Sequence, residues 1–256
     1  MKRTLIQPNR DHFPEIFHPL LDGPVFDSSC SPTARVWFLE QHGCYLKKAP
    51  KGSLRKEAEM TRFFHGKGLA AEVLAYESQD SDWLLTARIP GEDCTFPMYR
   101  QDPVRLCDTT AELLRMLHNT DAAGCPIPNR TADYLATAHR NHRAGIYDMQ
   151  FFPESADPED AWKLAEAYGP LLKNDTLLHG DYCLPNIMLD NWRFSGFIDL
   201  DTGGVGDKHV DLFWGIWSLN FNLKTNQYRD RFLDAYGREV IQEDLIRIVG
   251  AIEVFG

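Results

Sequence analysis

No Cys-x-x-Cys pair occurs in this chain, whose six cysteines stand at positions 30, 44, 94, 107, 125 and 183. That excludes a zinc ribbon and leaves no disulfide scaffold to read, so reduced thiols and a cytoplasmic setting are expected. Long apolar runs are also missing, which excludes a transmembrane helix. The opening Met1-Lys2-Arg3-Thr4 carries no apolar signal stretch, so secretion is not expected. Internal repeats and low-complexity segments are absent too, which leaves periodicity and punctuation as the guides. Basic residues are outnumbered, 27 against 37 acidic, for a formal charge of −10. An acidic balance disfavours nucleic acid and anionic membranes as partners and tolerates a cationic one. What is present is 256 residues, 43% hydrophobic and 25% charged, an ordinary globular composition long enough to bury a sizeable core.

Two β-like runs, Val36-Trp37-Phe38-Leu39 and Cys44-Tyr45-Leu46-Lys47, flank a turn at Gln41-His42-Gly43. A small-residue loop precedes them at 27–33. A helix is expected over 54–64, then a strand at Trp83-Leu84-Leu85-Thr86 running into Ile89-Pro90-Gly91-Glu92, a break suited to a hinge near 88–92. Beyond it the pattern turns helical: Cys107, Ala111, Leu114 and Leu117/His118 recur at helical spacing. Asp157-Pro158-Glu159-Asp160 reads as a helix start, with an N-cap, proline at N1 and acids at the positive dipole end. Strands are expected at 186–190 and 194–200 around a turn at Asn191-Trp192-Arg193, then helices over 210–219, 227–236 and 243–254, with Gly237 closing the second. The boundaries expected are a small sheet-plus-helix lobe over 1–90 and a larger helical lobe over 91–256.

The strongest local signal is His179-Gly180-Asp181-Tyr182-Cys183-Leu184-Pro185-Asn186, followed by Phe197-Ile198-Asp199. Phosphoryl transfer needs a carboxylate beside the attacking hydroxyl and oxygen ligands for a magnesium ion on the phosphates. Asp181, Asn186 and Asp199 are the oxygens this segment supplies. Kinase-like chemistry also wants a strand lysine steadied by a helix glutamate. Lys47 and Lys48 both end the second strand, and alternation alone does not choose between them. At about 100° per residue, Glu57 falls in the apolar sector with Leu54, Ala58, Met60, Thr61 and Phe64, while Glu59 points away. A carboxylate facing a core needs a partner, and a strand lysine is the obvious one.

His-x-Asp-x-x-x-x-Asn followed by Ile-Asp resembles the catalytic core of the aminoglycoside phosphotransferase family, relatives of the protein kinases. The string over 179–188, with Arg193-Phe194-Ser195-Gly196-Phe197-Ile198-Asp199, is most similar to the aminoglycoside 3'-phosphotransferases, and the likeness runs over about residues 28–255. The resemblance implies a bilobal α+β protein-kinase-like fold, with a small antiparallel-sheet N-lobe binding the nucleotide and a larger helical C-lobe binding metal and acceptor. It implies ATP, with GTP as the alternative, and Mg²⁺. It makes Asp181 catalytic, orienting or deprotonating the acceptor hydroxyl, and gives Asn186 and Asp199 to the metal. It selects Lys47 and Glu57 for the nucleotide, with Ser31 in a short phosphate-covering loop and the Arg88 and Ile89 backbone at the base.

On the acceptor side the resemblance offers Asp148, Glu154, Glu253 and Phe255 for a cationic small molecule, most simply the 3'-hydroxyl of an aminoglycoside. Several positions depart from the family pattern: Ile252, Gln150 and Phe151 stand where relatives carry acids, and Trp217 and Ser218 where one carries an Arg-Asp pair. A kinase of another small hydroxylated molecule (an amino sugar, a choline-like amine, a macrolide) is therefore a second reading, and a nucleotide-binding pseudoenzyme a third. Asp207 and Asp211 read as caps or loop ties, Asp201 as a support for Asp199, and His179 as a support for its loop. His118, His139 and His142 read as ordinary helix residues, and the Trp214/Trp217 region as core.

Overall fold

A computed structural model describes residues 3–256. The chain divides into two compact units, one built from residues up to Phe96 together with Ile187–Asp201, the other from Pro97–Asn186 and Thr202–Gly256.

The first unit is organised by a six-stranded antiparallel sheet, Thr4–Ile6 (β1), Val25–Asp27 (β2), Arg35–Leu39 (β3), Cys44–Pro50 (β4), Val73–Ser78 (β5) and Ser81–Ala87 (β6), in the order β1-β2-β3-β4-β6-β5. The expected turn between β3 and β4 is one 3₁₀ turn closed by Gly43 in the left-handed region (φ 57°). Alternation sends Cys44 and Leu46 into a core with Phe13, Phe17, Leu21, Val25 and Trp83, while Lys47 takes the opposite face. Each large side chain buried there contributes about 1.5–3 kcal/mol. The helix Arg55–Gly66 (α1) packs Leu54 and Ala58 against Ala49 and Leu84. Its start is fixed from β6: Asp82, fully buried, accepts hydrogen bonds from the Leu54 N–H (2.9 Å), Tyr76 Oη (3.0 Å) and Ser78 Oγ (2.6 Å).

A smaller sheet in the same unit joins Glu92–Asp93 (β7) to the hairpin Ile187–Asp190 (β9) and Arg193–Phe197 (β10). Asn191 and Trp192 both have positive φ (49° and 68°), the primed-turn geometry that matches strand twist. Gly91 is obligatory: at φ +88° a Cβ would lie 2.0 Å from the Leu189 carbonyl oxygen. Strand β10 ends at Phe197, short of the expected 200, because Asp199 turns into the left-handed region (φ 57°) and leaves the ladder.

The second unit is helical, with Pro97–Arg100 (α2), Pro103–His118 (α3), Arg130–Arg143 (α4), Pro158–Tyr168 (α5), His209–Leu223 (α6), Arg229–Tyr236 (α7) and Glu243–Glu253 (α8), and one short strand pair, Thr176–Leu178 (β8) with Gly204–Gly206 (β11). Asp157 caps α5 as expected, accepting from the Glu159 N–H at 3.0 Å. The apolar face of α8 (Leu245, Ile248, Val249, Ile252) meets Tyr134, Ala161, Ala165 and Phe255 in the core. No helix among the described residues is long and apolar enough to cross a membrane.

Candidate active site

In the first unit, β4 and α1 bring Lys47 and Glu57 together. The Lys47 ammonium lies 3.0 and 2.8 Å from the two Glu57 carboxylate oxygens and 3.0 Å from Asp199 Oδ1. Lys48 points elsewhere, its ammonium 4.9 Å over the Trp83 ring. Glu57 is 5% exposed, as its place in the apolar sector of the helix demands. Burial pushes its carboxyl up, to about 7, against the pull of Lys47, with Asp199 and Asp201 adding to the rise. Burial works the other way on Lys47, but Asp199 and Glu57 outweigh it and hold the ammonium protonated well above its usual range. Asp199 is the exposed member, its side chain 51% accessible, and its backbone stands in a conformation non-glycine residues seldom adopt.

The other first-unit candidates are nearby in sequence but differ in kind. Ser31 is exposed in a turn, its Oγ 2.7 Å from Thr33 Oγ1. The Arg88 N–H donates to the Gly43 carbonyl at 2.9 Å, and its guanidinium lies 5.5 Å over Phe38. Ile89 is buried against Gly196, where a Cβ would come within 2.7 Å of it.

In the second unit the motif forms a tight loop. Gly180 at φ +86° has no room for a side chain, since a Cβ would sit 2.0 Å from the Thr202 carbonyl oxygen. Asp211, fully buried at the start of α6, accepts from the backbone N–H of His179 (2.8 Å) and Gly180 (2.7 Å) and contacts His118 Nε2 at 3.2 Å. His118 Nδ1 in turn lies 2.8 Å from Tyr236 Oη. His118, its side chain 3% exposed, is thus a buried bridge and not the ordinary helix residue its spacing implied. The far end of the loop is tied where the Leu184 N–H donates to Ser218 Oγ at 2.9 Å. Within the loop the Asn186 amide nitrogen donates to the Asp181 carbonyl (3.0 Å) and Oδ2 (2.8 Å). Spending the nitrogen on Asp181 turns the Asn186 amide oxygen the other way.

Asp207 is a loop tie, accepting from the N–H groups of Lys173 (2.7 Å) and His209 (2.9 Å) and pairing with His209 Nδ1 at 2.6 Å. Burial alone would raise its carboxyl, but these bonds hold it below the usual carboxylate value.

The four acceptor-side candidates fall into three situations. Asp148 is exposed and caps the 3₁₀ turn Met149–Phe151. Glu154 is paired with Arg247 at 2.6 Å beside a cavity of about 350 Å³ that Lys163 and Tyr168 also line. Glu253 is buried, accepting from Tyr134 Oη and Trp214 Nε1, each at 2.9 Å; burial pushes its carboxyl up to about 7. Phe255 is 1% exposed, edge-on to Trp162 and His142. Ile252 is fully buried in the core and the Gln150 N–H donates to Asp148 Oδ1.

Among the described residues, no three His, Cys, Asp or Glu side chains gather as a metal cage. Magnesium does not need one: it keeps waters and is held by one or two protein oxygens together with phosphates. In the first unit the half-exposed Asp199 carboxylate is a hard oxygen donor of the kind such an ion takes.

The family model described as "Phosphotransferase enzyme family" matches residues 31–245. The chain belongs to the phosphotransferase enzyme family. A protein of Lactococcus lactis subsp. lactis (strain IL1403) named "Probable aminoglycoside 3'-phosphotransferase" is 48% identical over 253 residues, 97% of each chain. An aminoglycoside 3'-phosphotransferase of Niallia circulans is 30% identical over 217 residues, 82% of this chain and 83% of its own. Among solved structures, an aminoglycoside-3'-phosphotransferase of type VIII matches with a TM-score of 0.74 at 23% identity, over 90% of this chain and 91% of its own. A Streptomyces rimosus aminoglycoside phosphotransferase in complex with ADP and streptomycin matches with the same TM-score at 19% identity, over 90% and 92%. The expected α+β protein-kinase-like fold, with its antiparallel sheet followed by a helical part, is the fold this phosphotransferase has.

Proposed function

We propose that this phosphotransferase moves the γ-phosphate of ATP to a hydroxyl of a cationic small molecule, the 3'-hydroxyl of an aminoglycoside. The observation that carries the reading is the Lys47 ammonium fixed between Glu57 and Asp199; the names of the 48% and 30% identical relatives support the acceptor class. The first unit handles the nucleotide, and the second the acceptor.

Lys47 offers a fixed positive charge to the nucleotide's phosphate oxygens, and Glu57 keeps that charge in place. Asp199 and Asn186 are the residues that would hold magnesium, which when bound neutralises phosphate charge. Asp181 orients the acceptor hydroxyl. As the acceptor oxygen bonds to the γ-phosphorus, the bond from that phosphorus to the leaving diphosphate breaks, and the hydroxyl proton goes to Asp181. Asn186, donating to Asp181 Oδ2, fixes which carboxylate oxygen is free to receive it. Such catalysis is positioning and electrostatic stabilisation with little covalent work.

The test is product identification by mass spectrometry and NMR after incubation with ATP, magnesium and kanamycin. A single phosphate on the 3'-hydroxyl is expected; turnover only on other amine-bearing alcohols would replace the acceptor assignment. Asp181→Ala is expected to abolish transfer while leaving ATP affinity intact, and unchanged turnover in that variant would remove Asp181 from its role.

A further inference from the structure

Two aspartates near the start of α6, Asp207 and Asp211, each meet a histidine ring. His209 Nδ1 lies 2.6 Å from Asp207 Oδ1, and its Nε2 accepts the Gln242 N–H at 3.0 Å. A backbone N–H only donates, so Nε2 is bare and the ring hydrogen sits on Nδ1, against Asp207. His118 is arranged the other way round. Its Nε2 lies 3.2 Å from Asp211 Oδ2 and its Nδ1 2.8 Å from Tyr236 Oη.

Asp211 is an acceptor on both oxygens, since Oδ2 takes the His179 N–H and Oδ1 the Gly180 N–H. The nitrogen facing it must therefore carry a hydrogen. In a neutral imidazole that leaves Nδ1 bare and in need of a donor. The Tyr236 hydroxyl is that donor. Burial pushes its phenol above the usual range, with Asp211 and Asp207 adding to the rise, so the hydrogen stays on the oxygen. The His118 and Tyr236 side chains are both buried. Among the described residues, Asp211 and Tyr236 are the hydrogen-bond partners of the His118 ring.

The two rings differ in what fixes the tautomer. At His209 the deciding donor is main chain, which no change of a side chain removes. At His118 it is one phenol oxygen on α7, 118 residues away. Without that donor the ring is free to carry its hydrogen on Nδ1. Nε2 then turns a lone pair toward Asp211 Oδ2, the oxygen that also holds the His179 N–H. Gly180, held by the other oxygen, directly precedes Asp181. Misplacing a reacting group by about 1 Å can cost roughly a hundredfold in rate.

We infer that Tyr236 is a positioning residue for phosphoryl transfer: its hydroxyl selects the His118 tautomer that donates to Asp211, and Asp211 fixes the backbone in front of Asp181. The inference rests on the role proposed for Asp181 and carries the support of that residue out to α7.

Nitrogen NMR of protein labelled in its histidine rings reads the tautomer without chemistry, the His118 signals being assigned by their loss in His118→Gln. Wild type is expected to show a hydrogen on Nε2 and a bare Nδ1. A hydrogen on Nδ1 overturns the inference, whether or not Tyr236→Phe folds. In Tyr236→Phe the Nδ1 signal should move away from that of a bare nitrogen, and unchanged His118 signals would count against the inference. Steady-state kinetics on kanamycin read the consequence. Tyr236→Phe is expected to lower kcat about tenfold with the KM for ATP and for the acceptor unchanged. His118→Gln puts an amide N–H in the place of Nε2 and has no tautomer to select. In that background Tyr236→Phe should cost nothing further in kcat. An equal cost in both backgrounds would make Tyr236 a packing residue and overturn the inference, as would an unchanged kcat in Tyr236→Phe alone. Absence of turnover by wild type is a different result: it removes the proposed acceptor, while the His118 signals still report the tautomer.

Discussion

Glu57 in the first unit and Glu253 in the second are both buried glutamates, 5% and 7% exposed, and burial pushes both carboxyls up to about 7. Their partners differ. Glu57 faces an ammonium with both oxygens, whereas Glu253 Oε1 accepts from two neutral donors, a tyrosine hydroxyl and an indole N–H. Burial sets the direction of the shift, and the charge of the partner sets what the group is for. A carboxylate against Lys47 is half of an ion pair that holds the ammonium in place. A carboxyl against Tyr134 and Trp214 is a hydrogen-bonded acid that ties α4, α6 and α8 together.

The widest gap between the two should appear in activity. Glu57→Ala leaves Lys47 with Asp199 alone and frees its position, so kcat/KM for ATP is expected to fall about a hundredfold with at least a tenfold rise in ATP KM. Glu253→Ala is expected to leave ATP KM unchanged while lowering the melting temperature. Equal effects on ATP KM would erase the distinction.

Stability against pH runs the same way for both. For Glu253 the folded carboxyl titrates near 7, above its ordinary 4.5, so the native state binds the extra proton. Its contribution is therefore intact below about pH 4.5, declines as pH rises from there to about 7, and is constant above. Glu253→Gln, neutral at every pH, escapes the decline and should gain about 2–3 kcal/mol on wild type between pH 5 and pH 8. Glu57, raised to the same value, obeys the same sign, so Glu57→Gln should also gain on wild type between pH 5 and pH 8, while its missing counter-charge to Lys47 shows in ATP KM. Thermal unfolding of both variants at pH 5 and 8 decides; a loss by Glu57→Gln that grows from pH 5 to pH 8 would mean that the Lys47 ammonium outweighs burial and keeps Glu57 ionised throughout.

Much of this was legible in the sequence. Glu57 announced itself by lying in an apolar helical sector, and Asp181, Asn186 and Asp199 by an ordered motif. Alternation left Lys47 and Lys48 undecided, and only the third dimension, with Glu57 below one and Trp83 below the other, separates them. Asp82, Asp211 and His118 were not legible as supports because their partners lie 28, 31 and 93 residues away, a separation local patterns do not register. Strand β10 ended early for a reason invisible in composition, the left-handed backbone of Asp199. The strands β1 and β2 escaped notice because three-residue elements carry too short a period to read.

Asp82 extends the comparison to a buried carboxylate with no cation that stays ionised. Burial would raise it, but bonds from Ser78, Gly52, Leu54 and Tyr76 hold it below 3.8. Its stabilising contribution is present above that ordinary value and lost as pH falls through the lower folded one. Asp82→Asn, which leaves an acceptor for the Leu54 N–H, is expected to cost about 1–2 kcal/mol at pH 7 and to blunt unfolding in acid. It should also raise ATP KM modestly, since the start of the helix bearing Glu57 rests on it. An unchanged acid unfolding midpoint would mean the carboxylate's charge is not what holds the helix.

The finest test removes one oxygen from the neutral pair. Tyr134→Phe takes away one of the two donors to Glu253 and leaves the ring in the core. A hydroxyl bonded to an ionised carboxylate is worth more than one bonded to a neutral acid. The cost should therefore be about 1 kcal/mol at pH 8 and smaller at pH 5. The same change should push the Glu253 carboxyl further up, because that hydroxyl is the strongest influence opposing burial. The pH window over which stability declines then extends to a higher value than in wild type. A cost independent of pH would show that Tyr134 packs beside Glu253 without sharing its proton economy, and Trp214 alone would then set the carboxyl's state.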